Sequence, residues 1–150
     1  MYLVIDTWVW KAAQEGKNYD SLMLLAGIAR KARKCRFRLI IDYDNEILEE
    51  YKKHLKDNIV KKIFLELVKR GKIEHKPKAP IVINDFDKDD LKYIQVAVTI
   101  LKHNQEVYVI SGDSDFIELR KRIKEHNDIT LRELSKKILT PEEALSKINL

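Results

Sequence analysis

The chain has little cysteine, glycine or proline, and none of its apolar runs is long. It contains 150 residues, including one cysteine, four glycines and three prolines. A single cysteine, Cys35, excludes an internal disulfide bond and a zinc site built from several thiolates, so we expect a reducing, cytoplasmic compartment. The longest apolar runs, 22–29 and 96–101, are much shorter than the ~20 residues of a membrane span. The amino-terminal segment reaches Asp6 too early for a signal peptide, and we expect no membrane contact.

Basic and acidic residues are segregated along the chain, whose net charge is +5. Residues 30–38 contain six basic residues and no acid. Residues 51–78 contain ten basic and three acidic residues and are better explained as a solvated helix face. Segregation of this kind is expected when one surface binds a polyanion and another collects carboxylates. Because the arginine guanidinium matches phosphate geometry, we predict a phosphate-binding surface in the first segment. This basic cluster consists of Arg30, Lys31, Arg33, Lys34, Arg36 and Arg38.

Strand-like and helix-like segments alternate along the chain, which predicts one α/β domain over residues 1–150 with a parallel central sheet. Short apolar runs predict strands over 2–5, 37–41, 81–83, 107–111 and 129–131. Apolar residues at helical spacing predict helices over 19–34, 44–56, 59–70, 87–103 and 115–124. Asp44 and Asp87 are the predicted caps of two of these helices. Thr140, Pro141 and Glu143 predict a capping box that begins a final helix.

Three carboxylates follow predicted strands. Asp6 comes directly after the first strand, and Asp113 and Asp115 follow the strand at 107–111, where Gly112 lets the backbone turn. Ligands of open parallel sheets bind beyond the carboxyl ends of the strands. If these two strands are neighbours in the sheet, the three carboxylates converge on one crevice. Taken singly, each acid has a structural explanation, because Asp6 could belong to a turn and Asp113 could cap a helix.

Helix geometry tests two more acids. At about 100° per residue, Asp90 lies roughly 45° from the centre of the apolar stripe of its helix, on the first turn. In the helix at 44–56, Glu50 lies roughly 115° from the centre of the stripe and is only slightly nearer to the buried side than Glu46 and Glu49. The pattern alone therefore indicates an inward-facing Asp90, whereas it favours an ordinary solvated position for Glu50.

Clustered carboxylates repel one another unless a cation is present. The candidate set contains only oxygen donors, which suits a hard cation such as Mg²⁺ or Mn²⁺ that keeps several waters. Such an ion polarises a phosphoryl oxygen and activates a water molecule for attack. A cation site next to a surface rich in Arg and Lys therefore predicts hydrolysis of phosphodiester bonds.

Four short motifs, taken in order, resemble the motifs of PIN-domain nucleases. They are Val4-Ile5-Asp6-Thr7, Glu46-Ile47-Leu48-Glu49-Glu50-Tyr51, Asp87-Lys88-Asp89-Asp90 and Ser111-Gly112-Asp113-Ser114-Asp115-Phe116. The closing segment 138–145 is similar to the end of the toxin-like PIN branch of toxin–antitoxin systems, and the fourth motif also resembles the related NYN branch. The resemblance spans nearly the whole chain.

The resemblance implies a three-layer α/β/α sandwich with strand order 3-2-1-4-5. It also implies an endoribonuclease that uses Mg²⁺ or Mn²⁺ and a metal-activated water to hydrolyse single-stranded or structured RNA. The family's acidic positions fall on Asp6, Glu50, Asp90, Asp113 and Asp115. Asp6, Asp90 and Asp113 would hold the main metal ion, and Glu50 and Asp115 would complete its shell or support a second ion.

The basic cluster and the resemblance together predict partners. RNA would be bound through its backbone by the basic cluster, and specifically by Arg30, Lys31, Arg33, Lys34 and Arg36. Toxins of this family usually pair with an antitoxin and often form dimers, so an antitoxin protein and a homodimer are expected.

Trp8 stands where the family usually has asparagine. This departure favours an alternative in which the chain is a catalytically weak RNA-binding or assembly module with the same fold. A phosphoryl-transfer domain fits poorly, because receiver domains have two adjacent acids after the first strand and haloacid-dehalogenase phosphatases have Asp-x-Asp there. In this chain Asp6 is followed by Thr7 and Trp8. Trp8 and Trp10 are better explained as core residues than as base-stacking platforms.

Overall fold

The structure is a computed structural model that describes residues 1–34, 36–56 and 58–149, so Cys35 lies outside the described residues. The described residues form five strands and eight helices. In chain order these are β1 (Tyr2–Ile5), α1 (Thr7–Gln14), α2 (Tyr19–Lys31), β2 (Arg38–Asp42), α3 (Glu46–His54), α4 (Ile59–Lys69), β3 (Ile73–Lys76), α5 (Leu91–Lys102), β4 (Val107–Ile110), α6 (Ser114–Ile123), α7 (Ile129–Ser135), β5 (Ile138–Leu139) and α8 (Pro141–Lys147).

All five strands are parallel and lie in the order β3-β2-β1-β4-β5. The α/β class, the parallel sheet and the strand order 3-2-1-4-5 are therefore confirmed, and the flanking helices make a three-layer α/β/α sandwich. The chain adds β2 and β3 on one side of β1 and then β4 and β5 on the other. The winding direction thus changes between β1 and β4. In parallel sheets such a switch point opens a crevice beyond the carboxyl ends of the two strands.

The core lies between the sheet and two groups of helices. Residues 3–5 of the central strand are fully buried. On one side α2 contacts α1, α4 and α8, and the rings of Trp10, Tyr51 and Phe64 pack against one another. On the other side α5 packs across β1 to β4 and contacts α7. Trp10 is therefore a core residue, as predicted. None of the described helices combines the length and the apolar character needed to span a bilayer.

The predicted strand at 81–83 is wrong. These residues have no strand pairing, and Val82 is 81% exposed. The third strand is instead the more polar segment Ile73–Lys76, which pairs in parallel with β2 at the edge of the sheet. An edge strand is held by its backbone hydrogen bonds on one side only, so it does not need the apolar run that marks a central strand.

The predicted strand at 129–131 is also wrong, because these residues begin α7. The Asp128 carboxylate accepts hydrogen bonds from the N–H groups of Thr130 and Leu131, at 2.8 and 3.3 Å, and thereby caps the helix. The fifth strand, β5, follows this helix and is only two residues long.

Asp44 does not cap α3, as the sequence predicts. The cap is supplied by Asp42, the last residue of β2. Its two carboxylate oxygens accept hydrogen bonds from the N–H groups of Glu46, at 3.1 Å, and Ile47, at 2.9 Å. These bonds satisfy two of the unpaired donors at the helix start, and α3 therefore begins at Glu46.

The other two predicted caps have different outcomes. The Asp87 carboxylate accepts a hydrogen bond from the N–H group of Asp89 at 2.8 Å, so it stabilises the turn before α5, while the helix itself begins at Leu91. The capping box of Thr140 and Glu143 is present in both directions, with Pro141 at the first turn, and is confirmed.

Candidate functional site

Asp6 lies at the carboxyl end of β1, where the chain enters α1, a helix that the sequence analysis does not predict. The residue is 3% exposed. Its backbone N–H donates to the carbonyl oxygen of Ile110 at 3.0 Å, which fixes Asp6 beside the end of β4. Asp6 occupies the N-cap position of α1, but its side chain makes no capping hydrogen bond. The carboxylate is therefore left for other partners.

Ser111 connects the ends of β1 and β4. Its hydroxyl donates to Asp6 Oδ2 at 2.7 Å and accepts a hydrogen bond from the N–H group of Asp113 at 3.0 Å. Ser111 is fully buried, so both hydrogen bonds are shielded from water. The structure thus brings Asp6 and Asp113 to one crevice, as their positions after β1 and β4 predict.

Trp8 packs on the turn that carries Asp113. A Cβ atom added at Gly112 would lie 2.2 Å from the Trp8 ring, which is far inside van der Waals contact. Only glycine therefore lets the ring lie this close to the backbone. Trp8 is half-buried, so it belongs to the wall of the crevice as well as to the core.

Asp115 lies on the first turn of α6, next to the strand end that carries Asp113. The Asp113 side chain is the N-cap of α6 and accepts a hydrogen bond from the N–H group of Asp115 at 3.0 Å. By capping the helix, Asp113 therefore also fixes the position of Asp115, the second acid of this turn. One carboxylate oxygen of Asp113 makes this bond, and the other is left for a further partner.

Asp90 joins the crevice from the turn before α5. Single carboxylate oxygens of Asp87, Asp90 and Asp115 all lie within 4.8 Å of one another, which is close enough to hold one metal ion. Asp6 and Asp113 do not belong to this closest group, but their charges act on Asp90. We call the five carboxylates together the acidic pocket. From the sequence, Asp87 is predicted only as a helix cap. Its separation of three residues from Asp90 is the signal that could have identified it, because residues three apart lie on one side of a helical turn.

The electrostatics of Asp6 reflect burial beside other acids. Burial raises the pKa of Asp6 to about 6. The Ser111 hydroxyl opposes the rise by hydrogen bonding to the carboxylate, whereas the negative charges of Asp113 and Glu50 add to it. A carboxylate with a raised pKa is destabilised in its charged form, and a cation in the pocket would relieve that destabilisation.

Asp90 is perturbed in the same direction. Burial raises the pKa of Asp90 to about 7. Four neighbouring negative charges add to the rise, those of Asp6, Asp87, Asp113 and Glu50. Mutual repulsion of this kind shows that the acids share one electrostatic environment, although they come from separate parts of the sequence.

Glu50 differs from the other acids because two side-chain donors hold its carboxylate. Lys92 Nζ donates to Glu50 Oε2 at 2.6 Å, and the Tyr93 hydroxyl donates to Oε1 at 2.7 Å. The Tyr93 oxygen in turn lies 2.6 Å from Thr7 Oγ1. Burial alone would raise the pKa of Glu50, but the hydrogen bonds from Lys92 and Tyr93 bring it below its usual value. Glu50 is therefore a charged residue with its own counter-ion, at the edge of the acidic pocket.

A second acidic group lies at the carboxyl end of β2. Carboxylate oxygens of Asp42, Asp44 and Glu46 are also within 4.8 Å of one another. Lys78 Nζ lies 3.9 Å from Asp42, 3.3 Å from Asp44 and 2.7 Å from Glu46. The hydrogen bond to Glu46 raises the pKa of Lys78, so the ammonium group stays charged. This group already contains a cation and also serves as the cap of α3.

The acidic pocket has no such internal cation. Among the ion pairs of the described residues, none involves a carboxylate of Asp6, Asp87, Asp90, Asp113 or Asp115. The donors are carboxylate oxygens only, which fits a hard divalent cation rather than a soft one. The donor chemistry and the raised pKa values thus both fit a metal ion at this pocket.

The basic cluster lies at the other end of the sheet. Arg30 and Lys31 are in the last turn of α2, and Arg38 begins β2, where it pairs with Tyr2 at the start of β1. The cluster therefore occupies the amino ends of the strands, whereas the acidic pocket occupies the carboxyl ends. The sequence predicts the cation site next to this basic surface, and this prediction is wrong. The cluster comes directly before β2, so it lies at the opposite end of the strands from the acids that follow β1 and β4.

Comparisons with protein-family models, with curated proteins and with solved structures find no match to this chain.

Proposed function

We propose that this protein is a Mg²⁺- or Mn²⁺-dependent ribonuclease that hydrolyses RNA phosphodiester bonds with water as the nucleophile. The observation that carries the proposal is the contrast between the two acidic groups. The group around Asp42 contains one cation, the Lys78 ammonium, which offsets part of its negative charge, whereas the acidic pocket at the β1–β4 switch point has no basic partner among the described residues and has raised carboxylate pKa values. Uncompensated acids at a ligand-binding crevice favour a cation.

Asp87, Asp90 and Asp115 would hold the cation, and Asp6 and Asp113 would add negative charge beside it. When bound, a divalent cation supplies Lewis-acid polarisation of a phosphodiester oxygen and a lowered pKa for a water molecule. Ser111 keeps the Asp6 carboxylate and the Asp113 turn in fixed positions through its two hydrogen bonds. Glu50 and Lys92 would orient the edge of the site as an ion pair.

RNA is the substrate class for two reasons. The chain carries a net charge of +5 despite its acidic pocket, which favours a polyanionic partner. The ordered acidic motifs also resemble those of PIN-domain nucleases, in their toxin-like branch. An antitoxin partner and a homodimer stay predictions from that resemblance.

The test is a cleavage assay with labelled single-stranded and hairpin RNAs in Mg²⁺, Mn²⁺ or excess EDTA. We expect cleavage only with metal, and a loss of at least about 100-fold in Asp90→Asn and Asp6→Asn, because loss of about 3 kcal/mol of transition-state stabilisation lowers a rate by that factor. Asp89→Asn is the matched control, since it removes the same charge from an exposed neighbour of Asp90. Equal rates in Asp90→Asn and Asp89→Asn, or cleavage in EDTA, would refute the proposed reaction.

A second candidate, a catalytically weak RNA-binding module, is favoured by one observation. The ion pair with Lys92 neutralises Glu50, a residue that the resemblance places among the catalytic acids. In this case RNA would bind, metal would raise the melting temperature, and no RNA would be cut under any metal condition. The same assay, combined with a binding measurement, separates the two candidates.

A further inference from the structure

A large open groove lies at the amino ends of the strands. Its volume is about 810 Å³, which is large enough for several phosphate groups. Its lining includes five cationic side chains, those of Arg33, Lys34, Arg36, Arg38 and Lys72. Three of the five come from the segment between α2 and β2. We call this feature the amino-edge groove.

The amino-edge groove is strongly positive despite two carboxylates in its lining. The carboxylates belong to Glu74 and Glu106, and Glu74 already lies 3.6 Å from Lys76 Nζ. The side chains of Arg33, Lys34 and Arg36 are exposed, and the ion pairs found among the described residues do not include them. Cations without carboxylate partners, gathered on one concave surface, favour an anionic ligand.

The strand direction separates this groove from the acidic pocket. Tyr2 in the groove begins β1, and Asp6 in the acidic pocket follows its end. Four residue steps of about 3.3 Å separate the two ends of the sheet by roughly 13 Å in a straight line. The path over the surface is longer, so one phosphate group cannot touch both sites.

We propose that the amino-edge groove binds the phosphate backbone of RNA at a distance from the acidic pocket, so that the protein holds an RNA strand at two separate places. The binding step stands by itself, whereas its consequence for cleavage rests on the proposed function. Arginine favours phosphate because its planar guanidinium forms paired hydrogen bonds to phosphate oxygens. A stacked strand advances about 3.4 Å per nucleotide, so even the straight-line distance between the two sites needs an RNA of at least about four nucleotides.

The test measures RNA binding in EDTA, where cleavage is absent and the empty acidic pocket repels phosphate. We would compare the wild type with Arg33→Gln/Lys34→Gln/Arg36→Gln. The matched control is Lys53→Gln/Lys62→Gln/Lys69→Gln, which removes the same charge from exposed positions of α3 and α4. Labelled single-stranded RNA is titrated by fluorescence anisotropy at several salt concentrations, and circular dichroism checks that each variant is folded.

Three lost phosphate contacts lower the salt slope by about 2, because each contact contributes about 0.7 for single-stranded nucleic acid. The same loss corresponds to about 100-fold weaker binding near 0.1 M salt. We expect this effect in the groove variant and a much smaller one in the control. Equal slopes and affinities in the two variants would overturn the proposal, whatever the cleavage assay shows.

Two competitors identify the source of the anion. Inorganic phosphate and poly-glutamate are added to the preformed complex with RNA. We expect that neither displaces RNA at equal charge concentration. Displacement by phosphate would assign the groove to a free phosphate ligand, and displacement by poly-glutamate would assign it to an acidic protein segment; either result overturns the RNA assignment.

Cleavage of RNAs of increasing length in Mn²⁺ then tests the two-site consequence, since the groove variant should lose the advantage of long over short RNAs.

Discussion

The raised pKa of Asp6 predicts how the stability of the metal-free protein depends on pH. The perturbation is Asp6→Asn, which keeps the shape of the side chain and removes its titration. Burial raises the pKa of Asp6 from 3.8 to about 6, so the folded protein holds this proton more tightly than the unfolded chain. The stabilisation is complete below the unfolded pKa and is lost as the pH rises through the folded pKa. The metal-free wild type should therefore become less stable between acidic and neutral pH.

The magnitude follows from the size of the shift. A change from 3.8 to about 6 corresponds to about 3 kcal/mol in total. About 2 kcal/mol of this falls between about pH 4.5 and pH 7.5, and in a chain of this length it lowers the melting temperature by about 4–8 °C. Asp90 acts in the same direction, but it is half-exposed and water screens its contribution.

The assay is thermal or urea unfolding of wild type and Asp6→Asn across this pH range, in EDTA and in Mn²⁺. Without metal, the free energy of unfolding of the wild type should fall relative to the variant as the pH rises. With Mn²⁺ at neutral pH the wild type should instead become more stable relative to the variant. Ligand at 100 times its dissociation constant adds about 2.7 kcal/mol to the free energy of unfolding of the protein that binds it. Parallel pH profiles in EDTA, or equal stabilisation of both proteins by Mn²⁺, would refute the placement of Asp6 in a metal-binding pocket.

Three further substitutions test the scaffold of the site. Gly112→Ala should cost about 1–3 kcal/mol of unfolding free energy, since its Cβ would lie 2.2 Å from the Trp8 ring. The cost should shrink when Trp8 is also changed to Ala, and additive costs in this double-mutant cycle would contradict the contact. Lys92→Met should destabilise the fold by about 2 kcal/mol and raise the pKa of Glu50, because it leaves a half-buried carboxylate without its counter-ion. Carboxylate NMR measures this pKa, and an unchanged value would show that the ion pair is not formed. Thr140→Ala should cost about 1 kcal/mol by removing the capping box, and a melting temperature equal to that of the wild type would contradict this.

Among the elements that the sequence predicts correctly, three are buried so extensively that they show a continuous apolar pattern. The runs at 2–5 and 107–111 correspond to β1 and β4, and the stripe from Leu91 to Leu101 corresponds to α5. Each is packed on more than one side, so tertiary structure reinforces the local preference. Asp6 and Asp113 follow β1 and β4, and Asp90 comes directly before α5, which explains why the sequence pattern identifies these three acids.

The errors arise where backbone hydrogen bonding outweighs side-chain pattern. The β-branched residues Ile129 and Thr130 favour a strand, but the Asp128 carboxylate satisfies the first N–H groups of a helix instead. The strand β3 has no apolar run because it lies at the edge of the sheet. Lys92 and Ser111 hold the site through partners that are 42 and 105 residues away in sequence, so no local signal identifies them.

The separation of acids and cations along the strand axis has a chemical consequence. At the carboxyl end of β2, Lys78 lies close to three acids, offsets part of their charge and takes the place that a metal ion would need. If the basic cluster lay beside Asp6 and Asp90, its guanidinium groups would form the same ion pairs, lower both carboxylate pKa values and compete with a divalent cation. Because the cluster precedes β2 and the acids follow β1 and β4, parallel strands keep the two sets apart by about the length of the sheet. A polyanion could then be bound by one end of the protein, as we propose, without removal of the charge that would hold a metal ion at the other.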